Sequence, residues 1–102
     1  MPVLLQFDFP FEGPFGDAMA QALDGLAQSI AGEPGLLWKV WTEDAAGKRA
    51  GGIYLFADRA SAEAYRGMHA ARLASFGIED IRAMAFEVNE ALTRTTRGPL
   101  GR

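Results

Sequence analysis

The sequence predicts an α+β protein of the ferredoxin-like type, βαββαβ, in which two helices cover one face of a four-stranded antiparallel sheet. Three observations favour this fold. The 102 residues leave room for one domain, so residues 1–102 are expected to form a single unit. Apolar residues make up 49% and charged residues 23%, which is a globular composition. Four strand-like and two helix-like segments then follow one another in that order.

The first half of the chain predicts a strand, a helix and a second strand. Residues 3–9 are rich in Val, Leu and Phe and predict the first strand. Asp17 suits the start of a helix, and Gly32 with Pro34 suits its end. Between them lies one apolar stripe at helical spacing, namely Met19, Leu23, Leu26 and Ile30. Residues 36–42 predict the second strand.

The second half repeats the pattern in the order strand, helix, strand. Residues 51–57 predict the third strand, which follows a charged turn. The second helix is expected from about residue 59 to 75, with Asp58 or Ser61 near its cap. Residues 81–88 predict the fourth strand. Residues 89–102 have no strong periodicity and are expected to form a C-terminal tail.

Both faces of the two middle strands are apolar, which predicts a partner for the sheet. In the second strand, alternation puts Leu36, Trp38 and Val40 on one side and Leu37 and Trp41 on the other. In the third strand it puts Ile53 and Leu55 on one side and Tyr54 and Phe56 on the other. Two helices can cover only one face, so a second copy is expected to cover the other, giving a homodimer through the sheet face. The alternative is that the tail folds back over the sheet. It is less favoured, because residues 93–102 supply only Pro99 and Leu100 as apolar cover.

Composition and missing motifs exclude several classes of function. The net charge of −3 argues against a nucleic-acid module and a polybasic membrane binder, and no apolar run could span a membrane. A soluble cytoplasmic protein is therefore expected. The chain has no Cys and one His, and it lacks the usual phosphate-binding glycine motifs. No metal and no organic cofactor are expected.

Five segments carry a resemblance to a known family. They are LLQFDFPFEGPFGDAMA at 4–20, EPGLLWKVWTE at 33–43, AGGIYLFAD at 50–58, MHAARL at 68–73 and FEVNEAL at 86–92. Together they resemble the YdhR-type mono-oxygenases over nearly the whole chain. The resemblance implies a dimeric α+β barrel, in which ferredoxin-like subunits pair through their sheets. It also implies a cofactor-independent mono-oxygenase that uses O2 as co-substrate on an aromatic, phenol-like substrate.

The second predicted helix carries the candidate catalytic residues. Tyr65, Met68, His69, Arg72 and Phe76 step by three and four residues and share one side of the helix. With the family resemblance, His69 is a candidate proton acceptor and Arg72 a candidate for stabilising negative charge. The ordinary imidazole pKa of about 6.5 would make His69 effective near neutral pH. The alternative is a structural hydrogen bond for His69 and a solvated Arg72.

The strands supply the candidate substrate-binding residues, which add to Tyr65 and Met68 of the helix. Trp38 and Trp41 lie on opposite faces, so one is expected in the pocket and the other at the dimer interface. Gln6 and Asp8 could line a pocket beside Tyr54, or lie at a solvated strand end. Lys39 has the same alternatives, and a pair with Asp8 or Glu87 across the sheet is preferred for it.

Two further functions remain open at this point. The same fold could serve as a non-catalytic small-molecule-binding or regulatory dimer. Relatives of the superfamily also bind or degrade haem, for which His69 would be the available imidazole ligand. In each case the expected partners are a small aromatic ligand and a second copy of the chain.

Overall fold

Eight elements follow one another along residues 1–100, the part of the chain that the computed structural model describes. In chain order they are β1 Val3–Pro10, α1 Gly16–Ala22, α2 Asp24–Ala31, β2 Leu36–Asp44, β3 Arg49–Phe56, α3 Arg59–Ser75, β4 Arg82–Glu87 and α4 Glu90–Thr95. The strands form one antiparallel sheet in the order β2-β3-β1-β4. The predicted ferredoxin-like fold is therefore confirmed. No helix within residues 1–100 is long and apolar enough to cross a membrane.

The core lies between the sheet and the helices. In β1 the side chains alternate strictly, and Val3, Leu5, Phe7 and Phe9 are buried. On β3, Phe56 and Tyr54 stand directly opposite the first two of these and share their face. Ile30 of α2 and Ala62, Tyr65 and Leu73 of α3 pack against them. We call this side of the sheet the helix face.

The other side of the sheet, the helix-free face, remains largely apolar. Its central side chains are Leu4, Gln6, Asp8, Trp38, Val40, Ile53, Leu55, Met84 and Phe86. Val40 is 50% exposed and Phe86 is 47% exposed. The apolar second face that the sequence predicts is therefore present.

A β-bulge at the start of β2 corrects the predicted side of one residue. Leu36 stands opposite Phe56, but Trp38 stands opposite Leu55, so the register shifts by one residue between them. The extra residue in the bulge breaks the alternation. Leu36 therefore lies on the helix face, whereas Trp38 and Val40 lie on the helix-free face. The expectation that all three share one side is wrong.

The predicted first helix is two helices joined at Leu23. The backbone of Leu23 leaves helical geometry at φ −104° and ψ 11°, although hydrogen bonds to Met19 and from Ala27 continue across it. Gly25 lies two residues further on, and glycine is a poor helix former. The resulting bend turns Met19, Leu23 and Leu26 toward the same space above β2.

The C-terminal segment contains a short helix that the sequence analysis missed. Asn89 caps α4, because its side-chain oxygen accepts a hydrogen bond of 3.1 Å from the backbone N–H of Leu92. The following residues reach the far edge of the sheet, where the indole N–H of Trp38 donates to the carbonyl oxygen of Pro99 at 3.2 Å. Because α4 follows β4 and Trp38 lies on β2, this segment crosses one end of the helix-free face. The less favoured alternative, in which the tail folds back over the sheet, is thus correct for that end, where Leu55 is only 1% exposed.

Candidate functional site

A pocket of about 250 Å³ lies between the helix face of the sheet and the helices. We call it the aromatic pocket. Its apolar lining consists of Phe9, Phe11, Met19, Leu23, Leu26, Trp41, Ala50, Tyr54, Leu73, Phe76 and Ile78. Lys39, Thr42, Gly51 and His69 complete it, so among the described residues its lining contains no carboxylate. An apolar lining with a few polar groups is typical of small-molecule pockets.

Lys39 lies in this pocket and not in a cross-strand ion pair. It stands opposite Tyr54 on β3, and its Nζ lies 3.3 Å from the centroid of the Trp41 ring and 4.6 Å from that of Tyr54. Two aromatic rings thus hold the amine by cation–π contacts. Burial, and to a lesser degree the charge of Arg72, lowers the pKa of Lys39 to about 7.

Gly52 provides the space that Lys39 occupies. It lies on the helix face opposite Trp41, and a Cβ atom there would come within 2.6 Å of the Cε atom of Lys39. A larger residue would have to displace the end of the lysine side chain. The glycine therefore positions the amine between the two rings.

Asp8 and Glu87, the predicted ion-pair partners of Lys39, each bind arginine instead, so the predicted pairing is wrong. Asp8 lies on the helix-free face, where it binds Arg49 and Arg82. Burial would raise the pKa of Asp8, but the hydrogen bond from Arg49 and the charge of Arg82 outweigh it and lower that pKa. Glu87 pairs with Arg59 at 3.8 Å.

His69 is buried, with 3% of its surface exposed, and packs within the aromatic core. Its ring stacks on Tyr65 at 4.9 Å between centroids and meets the ring of Phe7 edge-on at 5.1 Å. Its Nδ1 atom accepts hydrogen bonds from Arg72, from Nε at 3.2 Å and from Nη2 at 2.9 Å. Because a guanidinium can only donate, the proton of the neutral ring must be on Nε2.

The pKa of His69 differs from the sequence-based expectation. Burial, followed by the charges of Arg72 and Lys39, lowers the pKa of His69 to about 3. The imidazole is therefore neutral near pH 7 and can donate a hydrogen bond from Nε2. The expectation of an ordinary pKa and an effective proton acceptor does not hold, because the ring is buried beside two cations.

Two tyrosines form the inner wall behind the pocket. The hydroxyl of Tyr65 donates to the hydroxyl of Tyr54 at 3.2 Å, and their ring centroids lie 5.0 Å apart. Burial is the main cause that raises the pKa of both, to about 12 for Tyr65. Both hydroxyls therefore stay protonated at physiological pH.

The structure brings together some of the predicted site residues. Trp41, Tyr54 and His69 line the aromatic pocket, Arg72 binds His69, and Tyr65 binds Tyr54. Of the two tryptophans, Trp41 is thus the one on the pocket side. Met68 lies on the outer side of α3, in a separate groove with Glu33 and Pro34.

Three predicted residues lie on the helix-free face and not in the pocket. Trp38 is there because of the bulge, and Gln6 and Asp8 are there because β1 alternates strictly. Gln6 stands opposite Ile53, one residue out of phase with Tyr54. The predicted position of Gln6 and Asp8 beside Tyr54 is therefore wrong.

The pocket position of Lys39 was the less favoured of its two alternatives, and the contribution of α1 and α2 to the pocket was not predicted. A lysine among Leu, Trp and Val in a buried strand was the available signal. Within residues 1–100, no group of three or more His, Asp and Glu side chains could hold a metal ion.

Comparisons with known proteins add a family and a structural relative. A search of curated proteins found no match. Among solved structures, the chain resembles a protein of Deinococcus radiodurans described as a putative antibiotic biosynthesis monooxygenase, with a TM-score of 0.63 and 15% identity over 85% of this chain and 92% of that one. At that identity the likeness supports the fold alone. The family model described as "Putative mono-oxygenase ydhR" matches residues 4–99. The chain therefore belongs to the ydhR mono-oxygenase family.

Proposed function

We propose that this protein is a cofactor-independent mono-oxygenase that oxidises a phenol-like aromatic substrate with O2 in the aromatic pocket. The observation that carries the proposal is the composition of the pocket, which is aromatic and apolar, lacks a carboxylate in the described chain, and lies beside cationic groups. Membership of the family supports the reaction class. The family does not specify the substrate, which the proposal takes from the pocket.

In the proposed reaction the substrate itself supplies the electrons that reduce O2. The phenol loses its hydroxyl proton, and the electron-rich anion transfers an electron to O2. Recombination forms a bond between the ring carbon and oxygen, and loss of water leaves a carbonyl group at that carbon. One O2 is consumed for each substrate, which loses two hydrogen atoms and gains one oxygen atom. The protein supplies a dry site and stabilises negative charge.

His69 and Arg72 are the proposed stabilising pair. Arg72 fixes the proton of His69 on Nε2, so the imidazole offers a hydrogen bond to an oxygen atom that gains negative charge in the pocket. Arg72 adds a positive charge behind the ring. This assigns His69 the role of a donor and leaves the phenolic proton to another group.

Trp41 and Tyr54 are the proposed contacts to the flat faces of the substrate. Both rings line the pocket, and Trp41 is 38% exposed at its outer side. Aromatic side chains bury a large surface against a planar ligand and favour stacked or edge-on geometry. A substrate that contacts both rings would lie close to Lys39 and His69.

Two other functions remain as alternatives. A binding or regulatory dimer would use the same pocket without turnover, and the lowered pKa of His69 is the observation that favours it. Haem ligation through Nε2 would require the ring proton on Nδ1, where Arg72 already donates. The position of Arg72 therefore argues against haem.

We also propose that a second copy of the chain covers the helix-free face. The supporting observation is the apolar surface around Val40, Ile53, Met84 and Phe86. Val40 is 50% exposed and Phe86 is 47% exposed, although the C-terminal segment reaches Trp38 on the same face. A two-fold axis would place the same surface of each copy against the other. In this arrangement each aromatic pocket lies within one subunit.

Oxygen uptake tests the proposed reaction. We expect the chelator-treated wild type to consume one O2 per molecule of a naphthol-like substrate. His69→Ala should lower the rate by roughly a hundredfold or more and leave affinity nearly intact, because it removes one donor to a developing charge. Arg72→Ala should also weaken binding of phenolate-like ligands. Met68→Ala, on the outer side of α3, is the matched control and should keep the wild-type rate.

Two results would count against this function. Binding of such ligands without oxygen uptake over a broad panel would favour the binding protein. Full oxygenation by His69→Ala would remove His69 from the mechanism. A visible absorption band in the purified protein would instead favour haem.

A further inference from the structure

We propose that Lys39 is the proton acceptor of the aromatic pocket, so that a hydroxylated aromatic compound of one or two rings binds there as its anion. The proposal rests on the proposed function, because it takes the aromatic pocket as the substrate site. It assigns to a residue of β2 the role that the sequence analysis gave to His69. It also limits the substrate to acidic, hydroxyl-bearing rings.

The position of Lys39 is the first argument. Its amine projects from the helix face into the pocket and lies against the rings of Trp41 and Tyr54, at 3.3 and 4.6 Å from their centroids. Gly52 leaves the room for it. A planar ligand that contacts the same two rings would bring its hydroxyl group near the amine.

The charges around Lys39 are the second argument. Among residues 1–100, no carboxylate lies within ion-pair distance of Lys39 or Arg72. The ionisable groups that face Lys39 are Tyr54 from β3 and His69 and Arg72 from α3, whereas α1 and α2 contribute apolar side chains. Glu43, farther along β2, accepts a hydrogen bond from the backbone N–H of Gly16. An anionic ligand would compensate this excess of positive charge.

The proton balance is the third argument. With its pKa lowered to about 7, a substantial fraction of Lys39 is a neutral amine at neutral pH. The O–H bond of the ligand breaks, an N–H bond forms on Lys39, and a phenolate and an ammonium ion remain in contact. The other candidates cannot take the proton, because burial beside two cations lowers the pKa of His69 to about 3, and the guanidinium of Arg72 has no acceptor atom.

The pocket volume sets the size of the ligand. A closed apolar cavity of about 150 Å³ accepts benzene. The aromatic pocket, at about 250 Å³, therefore suits one ring with substituents or two fused rings. Three fused rings would need movement of α1 or α2.

The absorption spectrum of bound 2-naphthol tests the proposal without turnover. At pH 7 free 2-naphthol is neutral, and we expect the probe bound to the wild type to show the naphtholate spectrum. Lys39→Met should abolish that spectrum and weaken binding roughly tenfold or more, since a charge-assisted hydrogen bond is lost. Lys48→Met is the matched control, because Lys48 is exposed and pairs with Glu12. It should behave like the wild type.

A second measurement keeps the test independent of the variant's folding. The chain has two lysines, so the Cε signals of Lys39 and Lys48 can be assigned in labelled wild-type protein. Saturating 2-naphthol should move the Lys39 signal to the ammonium position at pH 8 and leave Lys48 unchanged. A neutral-naphthol spectrum in the bound state, or no binding of 2-naphthol, would overturn the proposal. Anion binding without oxygen uptake would support Lys39 and count against the mono-oxygenase function instead.

Discussion

Arg72 donates hydrogen bonds from two of its nitrogen atoms to one nitrogen of His69, at 3.2 and 2.9 Å. The two residues are three positions apart on α3, so the helix itself holds them in this relationship. The contact fixes the tautomer of the imidazole and disfavours its protonation. A residue pair that the sequence suggests as base and cation is therefore a neutral donor backed by a cation.

Replacing Arg72 should raise the pKa of His69. In the wild type this single histidine should show no protonation of its imidazole between pH 8 and about 5, since a group with a pKa of about 3 is neutral there. Arg72→Met should shift the midpoint upward but keep it below 6.5, because burial is the larger cause of the lowered pKa. NMR titration measures both. Arg66→Met, on the same helix, is the control, and a wild-type midpoint near 6.5 would contradict the assignment.

Breaking the hydrogen bond between the two tyrosines should destabilise the protein. Tyr65→Phe leaves the buried hydroxyl of Tyr54 without its partner, which costs about 1–3 kcal/mol of unfolding free energy. The double variant Tyr54→Phe, Tyr65→Phe should recover most of this loss, because no hydroxyl is then left unpaired. Urea unfolding of the single and double variants measures the coupling. Additive losses would show that the bond contributes little.

The sequence predicts the fold because its two periodicities are clear. Alternating apolar residues predict the strand β1, and a capping residue at Asp58 before a helical pattern predicts α3. Both predictions are confirmed. The bulge at Leu36 and Trp38 has no comparable signal, since either residue suits either face. The bend at Leu23 keeps the helical hydrogen bonds and so leaves the apolar spacing intact.

The candidate site was less predictable, because it depends on which side of each strand faces the helices. Trp41 and Tyr54 were candidates from residue type and strand alternation, and His69 from helical spacing together with the family resemblance. Gln6 and Asp8 were misplaced because register decides the face of a polar residue in a strand. The role of Lys39 depends on burial and on the space above Gly52, neither of which a single sequence displays. The pKa of His69 likewise follows from its packing and not from its residue type.

A charge on the helix-free face should prevent the proposed dimer. We expect the wild type to sediment at twice the chain mass of 11.0 kDa at micromolar concentration. Val40→Asp should give monomers or aggregates, because the variant places a charge within the apolar face and leaves the remainder exposed. Glu63→Gln, on the exposed side of α3, is the control. A wild-type mass near 11.0 kDa would contradict the dimer.

Lys39 should make the stability of the protein depend on pH with a definite sign. Its pKa is about 7 in the folded protein, whereas a solvated lysine in the unfolded chain has the ordinary value of 10.5. Between these values the unfolded chain binds the additional proton, so the free energy of unfolding of the wild type should rise as pH rises from about 7 toward 10.5. Below about pH 7 both states are protonated and the penalty of burying the charge is complete.

Lys39→Met removes this penalty and should therefore be more stable than the wild type at pH 7 and below. The gain should be on the order of a few kcal/mol, reduced by the lost cation–π contact with Trp41. It should shrink steadily as pH rises above about 7, because the folded lysine is neutral there and the cost of deprotonating the lysine of the unfolded chain falls as pH approaches 10.5. Urea unfolding from about pH 6 to 9.5 measures the difference and stays below the range in which tyrosines of the unfolded chain ionise. Lys48→Met should show a difference that does not change over this range, and a constant difference for Lys39→Met would mean that the buried amine has an ordinary pKa.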